Sequence, residues 1–187
     1  MGNDGAETGG RTTSVRRLWE SGDHERAYAI AVEETEDSLY RFLRHMLRDE
    51  EAAREVFQDT YIRVFRALGG FRGDASLKTW VLTIGRNVAL NRIRRARGQE
   101  DRNLSLDELE ETAPAAVEEP GDPPATRSLI AAVDGLPSNQ REAVLLYYVE
   151  DRPVAEIAKM TGRTANTIKS DLLRARKRLR RILEKTE

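Results

Sequence analysis

The sequence predicts an all-α protein made of two small helical domains joined by an acidic flexible linker. Apolar residues recur at helical spacing in two separate blocks, and the segment between the blocks is rich in acidic residues and proline. The formal net charge of −1 hides the same division, because residues 75–99 sum to +6, residues 100–122 to −8 and residues 163–185 to +7. With 187 residues, the chain is long enough to form two such domains.

The first block, residues 15–97, predicts a bundle of three to four helices. It follows a tail at residues 1–14 that lacks periodicity and is expected to be disordered. One helix is expected from about Arg16 to Leu47, a second from about Glu50 to Leu68, and a third from about Ser76 into a cluster of arginines. Each carries an apolar stripe, so the three helices are expected to pack against one another.

The second block, residues 127–187, follows a predicted linker at residues 98–126 that contains four prolines. A short helix from Leu129 to Leu136 is expected to end before Pro137, since the residue before proline is pushed out of the helical region. Another helix is expected from about Asn139 to Glu150. The second domain is therefore also predicted to be helical.

The last segment predicts a helix-turn-helix, in which a short helix and a longer basic helix meet at Gly162. Thr164 is placed to cap the longer helix, whose first turn then offers free backbone N–H groups to a phosphate. In such helices, side chains near the N-terminal end read base edges and the flanking basic residues hold phosphates. DNA is the expected partner, and a solvated basic helix in some other bundle is the alternative.

The arginine-rich end of the third helix carries a second basic surface. Asn87, Asn91 and either Arg94 or Arg95 fall close to one face of that helix. Asparagine offers both a donor and an acceptor and arginine adds affinity for phosphate, so this face suits DNA. The alternative is an ordinary charged helix end, which the helix dipole favours at a C-terminus.

The loop at residues 69–80, between the second and third helices, is rich in glycine and small polar residues and contains two aromatic residues. A loop of this kind could hold an extruded base by stacking and backbone hydrogen bonds. The alternative is that Phe71 and Trp80 fill the core of the bundle.

Catalytic and membrane-spanning roles have little support in the sequence. His24 and His45 are not spaced as metal ligands and are expected on the surface, cysteine is absent, and neither a phosphate-binding loop nor a nucleophile motif occurs. We therefore expect no enzyme activity, no catalytic residues, no cofactor and no metal. No apolar run approaches the roughly 18 residues of a membrane span, so a cytoplasmic protein without a membrane span is expected.

Short motifs recur in a particular order along the two helical blocks. They are Phe71-Arg72-Gly73, Lys78-Thr79-Trp80, Ile84-Gly85-Arg86-Asn87, Leu136-Pro137, Gln140-Arg141-Glu142, Glu156-Ile157-Ala158, Thr167-Ile168-Lys169-Ser170 and Arg174-Ala175-Arg176. Their order and spacing resemble the extracytoplasmic-function (ECF, group four) sigma factors of bacterial RNA polymerase. Residues 40–97 resemble region two of that family, and residues 136–183 resemble region four.

The resemblance implies a sigma factor that binds core RNA polymerase and directs initiation by recognising and melting the promoter. The implied contacts on the polymerase are the clamp coiled coil of the largest subunit and the flap of the second largest, and many relatives are also held by an anti-sigma factor. A helix-turn-helix regulator that binds duplex operator DNA without polymerase is the alternative. Such a regulator would not account for the second basic helix or the aromatic loop.

The resemblance also assigns residues to three surfaces. The surface for the proximal promoter element and melting comprises Phe71, Arg72, Asp74, Ser76, Lys78, Trp80, Arg86, Asn87, Asn91, Arg94 and Arg95. The surface for the distal element comprises Arg141, Thr164, Asn166, Thr167, Lys169, Ser170, Leu173, Arg174 and Lys177. The surface that docks on core polymerase comprises Glu51, Glu55, Gln58, Asp59 and Ile62.

Two departures from the family pattern bear on these surfaces. The acidic block that usually begins the docking helix appears here as Ala52-Ala53-Arg54-Glu55, although Glu55, Gln58 and Asp59 keep part of the acidic character. This departure predicts either weaker binding to core or a need for help in binding it, and one hypothesis is that phosphorylation of Thr60 restores negative charge at this surface. Asp171 stands where the family usually carries a basic or neutral residue. It either accepts a hydrogen bond from a cytosine amino group or points away from DNA and pairs with Arg174 or Lys177.

Overall fold

The computed structural model describes residues 14–96 and 124–184, and regular structure in these residues is entirely helical. The first domain contains α1 (residues 14–20), α2 (His24–Leu47), α3 (Glu50–Ala67), a 3-10 turn at Leu68–Gly70 and α4 (Leu77–Ala96). The second domain contains α5 (Pro124–Asp134), α6 (Ser138–Val144), a π-helical turn at Leu145–Val149, α7 (Val154–Thr161) and α8 (Ala165–Leu183). The predicted all-α class with two domains is confirmed.

Helices α2, α3 and α4 pack against one another around the core of the first domain, and α1 packs on their side. The fully buried side chains there include Leu39, Phe42, Leu43, Met46, Leu77 and Leu82. Helix α4 approaches α2 closely at Gly85, where a Cβ atom would lie 2.4 Å from Cδ1 of Leu39. Only glycine leaves room for the two helices at this distance.

The prediction of one helix from Arg16 to Leu47 was wrong, because the chain breaks between α1 and α2. Gly22 has a φ of +88°, a left-handed conformation that does not continue a helix. Asp23 then caps α2, accepting a hydrogen bond from the N–H of Arg26 at 3.3 Å. The apolar stripe continues across the break, which is why periodicity alone predicts one helix.

The second domain differs from its predicted helix boundaries in two places. Helix α5 begins at Pro124, inside the segment expected to be linker, and proline is favoured in the first turn of a helix. The helix expected from Asn139 to Glu150 is divided between α6 and a π-helical turn, and Asp151 then has a φ of +52°. Residues 97–123, which include most of the predicted linker, and residues 1–13 lie outside the described residues.

The two histidines lie in different surroundings. His24 is exposed and stacks on Trp19, with ring centroids 4.2 Å apart. The expectation that His45 lies on the surface was wrong. Its side chain is only 16% exposed and lies against Asp134 of the second domain, with Nδ1 3.1 Å from a carboxylate oxygen.

The described helices include none with the length and apolar character to cross a membrane.

Candidate nucleic-acid interface

Helices α7 and α8 form the helix-turn-helix. Gly162, with a φ of +70°, makes the left-handed turn between them. Thr164 caps α8, since its hydroxyl accepts a hydrogen bond from the N–H of Thr167 at 3.1 Å. On the inner side, Ile157 of α7 and Ile168 of α8 are completely buried, which fixes the angle between the two helices.

The outer face of α8 presents the residues predicted for the distal promoter element. They recur at helical spacing opposite the buried Ile168, Leu172 and Ala175, so the whole set shares one face. The exposed members are Thr164, Asn166, Thr167, Lys169, Ser170, Leu173, Arg174 and Lys177. Leu173 is 49% exposed and adds an apolar side chain to this otherwise polar face.

Arg141 is the one residue of that predicted set that lies elsewhere. It is 3% exposed, and its guanidinium donates to the carbonyl oxygens of Asp134 at 3.0 Å and of Leu136 at 2.9 Å. It also donates to the carbonyl of Met46 in the first domain at 3.4 Å. In this arrangement Arg141 holds backbone together and does not reach the outer face of α8.

Asp171 points inward, away from the outer face of α8. It is 1% exposed, and its carboxylate lies 2.9 Å from Nη1 of Arg163 in the turn and 3.7 Å from Nη1 of Arg174. The side-chain amide of Asn139 also donates to it at 3.5 Å. Of the two alternatives, pairing with Arg174 agrees with this geometry, although the principal partner is Arg163 and the carboxylate is buried.

The loop before α4 presents both exposed polar residues and buried aromatic ones. Arg72 and Asp74 form an exposed ion pair at 3.4 Å, while Phe71 is 5% exposed and packs against Trp80 with ring centroids 5.0 Å apart. Ser76 caps α4 by accepting from the N–H of Thr79 at 3.1 Å. The structure therefore uses Phe71 as a core residue and leaves the polar part of the loop accessible.

The basic face of α4 is partly exposed and partly covered. Asn87 and Arg95 are exposed, and Asn91 and Arg94 are half-buried. Arg86 is covered: its side chain is 8% exposed, and its Nε donates to the carboxylate of Glu142 in the second domain at 2.5 Å.

The five residues predicted to dock on core polymerase are all exposed and follow one face of α3. Ile62 is 49% exposed, and Phe65, which was not predicted, extends the apolar part of the same face at 45% exposed. Glu55 forms an ion pair with Arg92 of α4, and these two helices enclose a groove lined by Glu55, Asp59, Asn91 and Arg95 among others. The proposed docking face and the proximal DNA face thus adjoin along this groove.

The hypothesis that phosphorylation of Thr60 restores charge to the docking face was wrong. Thr60 is completely buried, and a Cβ atom added at Gly85 of α4 would lie 3.5 Å from its hydroxyl oxygen. That hydroxyl donates to the carbonyl of Val56 at 2.6 Å. The side chain therefore faces the core, where a phosphate group would be neither accessible nor solvated.

Sequence reasoning did not predict the buried ion pairs of three residues, Glu142, Glu150 and Arg163. Each makes ion pairs with residues far away in the chain, and their only sequence signal is an acid or base on an otherwise apolar helix face or turn.

Among the described residues, no cluster of three or more His, Asp or Glu side chains could hold a metal ion.

Comparison with known proteins agrees with this geometry. The family model for Sigma-70 region 2 matches residues 31–99, and that for Sigma-70, region 4 matches residues 126–179. These matches cover most of the α2–α4 bundle and most of the helix-turn-helix domain. They define the class of the protein as a sigma factor of the sigma-70 type, a DNA-binding regulator of transcription.

Two relatives narrow the class. The chain is 32% identical over 145 residues to the ECF RNA polymerase sigma factor SigM of Mycobacterium tuberculosis (strain ATCC 25618 / H37Rv), covering 78% of this chain and 71% of the relative. It is 27% identical over 175 residues to the ECF RNA polymerase sigma factor SigX of Bacillus subtilis (strain 168), covering 86% and 85%. The chain belongs to the ECF RNA polymerase sigma factors, which direct promoter-specific transcription, and the predicted family is confirmed.

Two solved structures share the fold. The sigma factor RpoE in complex with the anti-sigma factor NepR from Bartonella quintana matches with a TM-score of 0.68 and 24% identity, covering 87% of this chain and 97% of that chain. CnrH in complex with the cytosolic domain of CnrY matches with a TM-score of 0.64 and 20% identity, covering 92% and 99%. Both support the arrangement of two helical domains.

Proposed function

We propose that the two domains divide promoter recognition between them, with residues 15–97 docking on core polymerase and engaging the proximal element, and residues 127–187 reading the distal element. The outer face of α8 carries this proposal. Its exposed polar side chains lie on one side of a helix whose other side is buried and whose N-terminus is capped by Thr164. This is the geometry with which recognition helices enter the major groove.

The first domain supplies the second half of the proposal. The loop before α4 and the second half of α4 expose Arg72, Asn87 and Arg95, which suit a DNA strand and its phosphates. Asp74 in the same loop is exposed and pairs with Arg72. The exposed face of α3, including Ile62, would bind the clamp coiled coil of the largest polymerase subunit, and the second domain would contact the flap of the second largest. Each DNA contact is weak alone, but two contacts joined on one polymerase are selective together.

The proposed partners are core RNA polymerase, promoter DNA and an anti-sigma factor. The last is supported by the likeness to RpoE, whose structure was solved with the anti-sigma factor NepR. The protein would act in the cytoplasm, where polymerase and chromosomal DNA are found, and would have no catalytic residues, cofactor or metal of its own.

Distal recognition is tested by substituting one side chain on the outer face of α8. With core polymerase present, Lys169→Ala is expected to lower run-off transcription about tenfold or more, with the loss confined to promoters that keep their distal element. Arg180→Ala is the matched control, because Arg180 is an exposed cation on the same helix outside the proposed set. Equal effects of both variants on every template would contradict a base-reading role.

Docking on core is tested at Ile62. Ile62→Arg places a charge in the proposed apolar contact and is expected to abolish co-elution with core polymerase while leaving helix content unchanged. Glu33→Arg introduces the same side chain at an exposed position of α2 and should co-elute as the wild type does. Co-elution of the Ile62 variant at wild-type affinity would contradict the assignment of this face.

A further inference from the structure

Helices α2 and α3 enclose a second groove beside the proposed docking face, with a volume of about 430 Å³. Each helix contributes three residues to this α2–α3 groove, whose lining is Glu36, Asp37, Tyr40, Arg54, Phe57 and Gln58. Gln58 also belongs to the set predicted to dock on core polymerase, and Ile62 of that set lies one turn further along α3. The α2–α3 groove is therefore continuous with the proposed docking face.

Tyr40 and Phe57 form the aromatic wall of the α2–α3 groove. Both side chains are half-buried, and their rings meet edge to face with centroids 5.6 Å apart. Phe57 is held from below by Tyr61, with ring centroids 4.9 Å apart. The guanidinium of Arg44 lies over the Tyr40 ring, 5.9 Å from its centroid, so this ring already interacts with a cation of the chain itself.

Glu36 and Asp37 form the acidic side of the groove. Both are exposed, and neither forms an ion pair with another residue that the structure describes. The cation of the lining, Arg54, is already paired, since its Nη2 lies 2.5 Å from a carboxylate oxygen of Glu50. Burial is the main cause of the raised pKa of Tyr61, and the charges of Glu36 and Asp37 also raise that pKa, so their negative field reaches the seam between the helices.

We infer that the α2–α3 groove receives an arginine side chain of core RNA polymerase, which stacks on Tyr40 and donates hydrogen bonds to Glu36 and Asp37. A planar guanidinium can stack on an aromatic ring and bond to carboxylates at the same time, which the ammonium of lysine does less well. The inference rests on the proposed docking of α3 on core. A partner that covers Ile62 and Gln58 reaches the groove, because the two surfaces are continuous.

The α2–α3 groove also bears on the departure from the family pattern at the start of α3. Ala52 and Ala53 are 6% and 0% exposed, and Glu50 neutralises Arg54. These three residues therefore offer a partner no negative charge of their own. The carboxylates on α2, across the groove, supply that charge instead, so core affinity in this chain is expected to depend on α2 as well as on α3.

The acidic side is tested by titrating core polymerase into the full chain labelled with a dye at its N-terminus. Glu36→Gln combined with Asp37→Asn should raise the Kd for core about tenfold, because the arginine loses both charge-assisted hydrogen bonds. Glu20→Gln combined with Glu25→Gln is the matched control, since it removes two exposed carboxylates outside the groove and should leave the Kd unchanged. Circular dichroism with wild-type helix content would show that both variants remain folded.

The aromatic wall is tested at Tyr40 in the same titration. Tyr40→Phe keeps the ring and should bind core as tightly as the wild type. Tyr40→Leu keeps an apolar side chain without a π face and should raise the Kd about threefold. Equal affinities of these two variants would contradict the stacking.

The outcomes separate this inference from the proposed function. An unchanged Kd in the folded Glu36 and Asp37 variant, with co-elution lost in Ile62→Arg, would overturn the groove contact and leave the docking face on α3 intact. A tenfold higher Kd in the Glu36 and Asp37 variant, with wild-type co-elution of Ile62→Arg, would support the groove and place the error in the proposed α3 face. The tenfold effect should shrink as the salt concentration is raised, and an effect that is equal at all salt concentrations would contradict a charged contact.

Discussion

Replacing Asp171 distinguishes a structural role of this buried carboxylate from base recognition. Asp171 is 1% exposed and lies 2.9 Å from Nη1 of Arg163, so its charge holds the turn of the helix-turn-helix to α8. Removing one partner of a buried ion pair costs about 3–5 kcal/mol. Asparagine keeps part of the hydrogen bonding, and Arg163 also retains Glu142, so Asp171→Asn should destabilise the protein by about 2 kcal/mol.

The assay is urea unfolding of the full chain followed by circular dichroism, together with run-off transcription on promoters altered at the distal element. Asp171→Asn should lower the free energy of unfolding and leave base preference unchanged. Arg174→Ala is a control for stability, because it removes only a 3.7 Å pair on a side chain that is 66% exposed and should change stability by less than about 0.5 kcal/mol. Wild-type stability with an altered base preference in Asp171→Asn would refute the structural reasoning.

Three further predictions concern the framework of the two domains. Gly85→Ala places a methyl group 2.4 Å from Leu39 Cδ1 and should cost about 1–2 kcal/mol in urea unfolding after the gain in helix propensity; additivity with Leu39→Ala would contradict the contact. Burial raises the pKa of Tyr61 to about 12 from 10.0, so its contribution to stability is present below pH 10 and lost as the pH rises toward 12; Tyr61→Phe should flatten this part of the stability profile, and an unchanged profile would count against it. Thr164→Ala should destabilise the second domain by about 1 kcal/mol and Thr164→Ser should not, whereas equal stabilities would show that the cap is unimportant.

Helical periodicity predicted most of the fold because each domain buries one face of each main helix. The turn at Gly162 and the cap at Thr164 were also predictable, since both depend on residues within a few positions of each other. The break at Gly22 was not, because the apolar stripe runs through it and glycine alone does not specify a left-handed turn. The π-helical turn at Leu145–Val149 likewise has no distinct pattern in the sequence.

The candidate site was predictable where exposure follows from helical phase. The outer face of α8 is an example, because its members are defined by the buried residues between them. Burial of Arg86 and Arg141 was not predictable, since it depends on how the two domains meet: the partner of Arg86, Glu142, is 56 positions away. The inward direction of the Asp171 side chain depends similarly on its ion pair with Arg163, which lies in the turn before α8.

Reconstitution with core RNA polymerase tests the central claim most directly. Purified chain and core polymerase would be combined on genomic fragments, and the 5′ ends of the transcripts mapped against core alone. The account predicts co-elution with core and discrete start sites preceded by two shared sequence elements, with weak binding to duplex DNA when core is absent. Specific binding of a duplex operator by the free chain, with no discrete start sites when core is added, would contradict it.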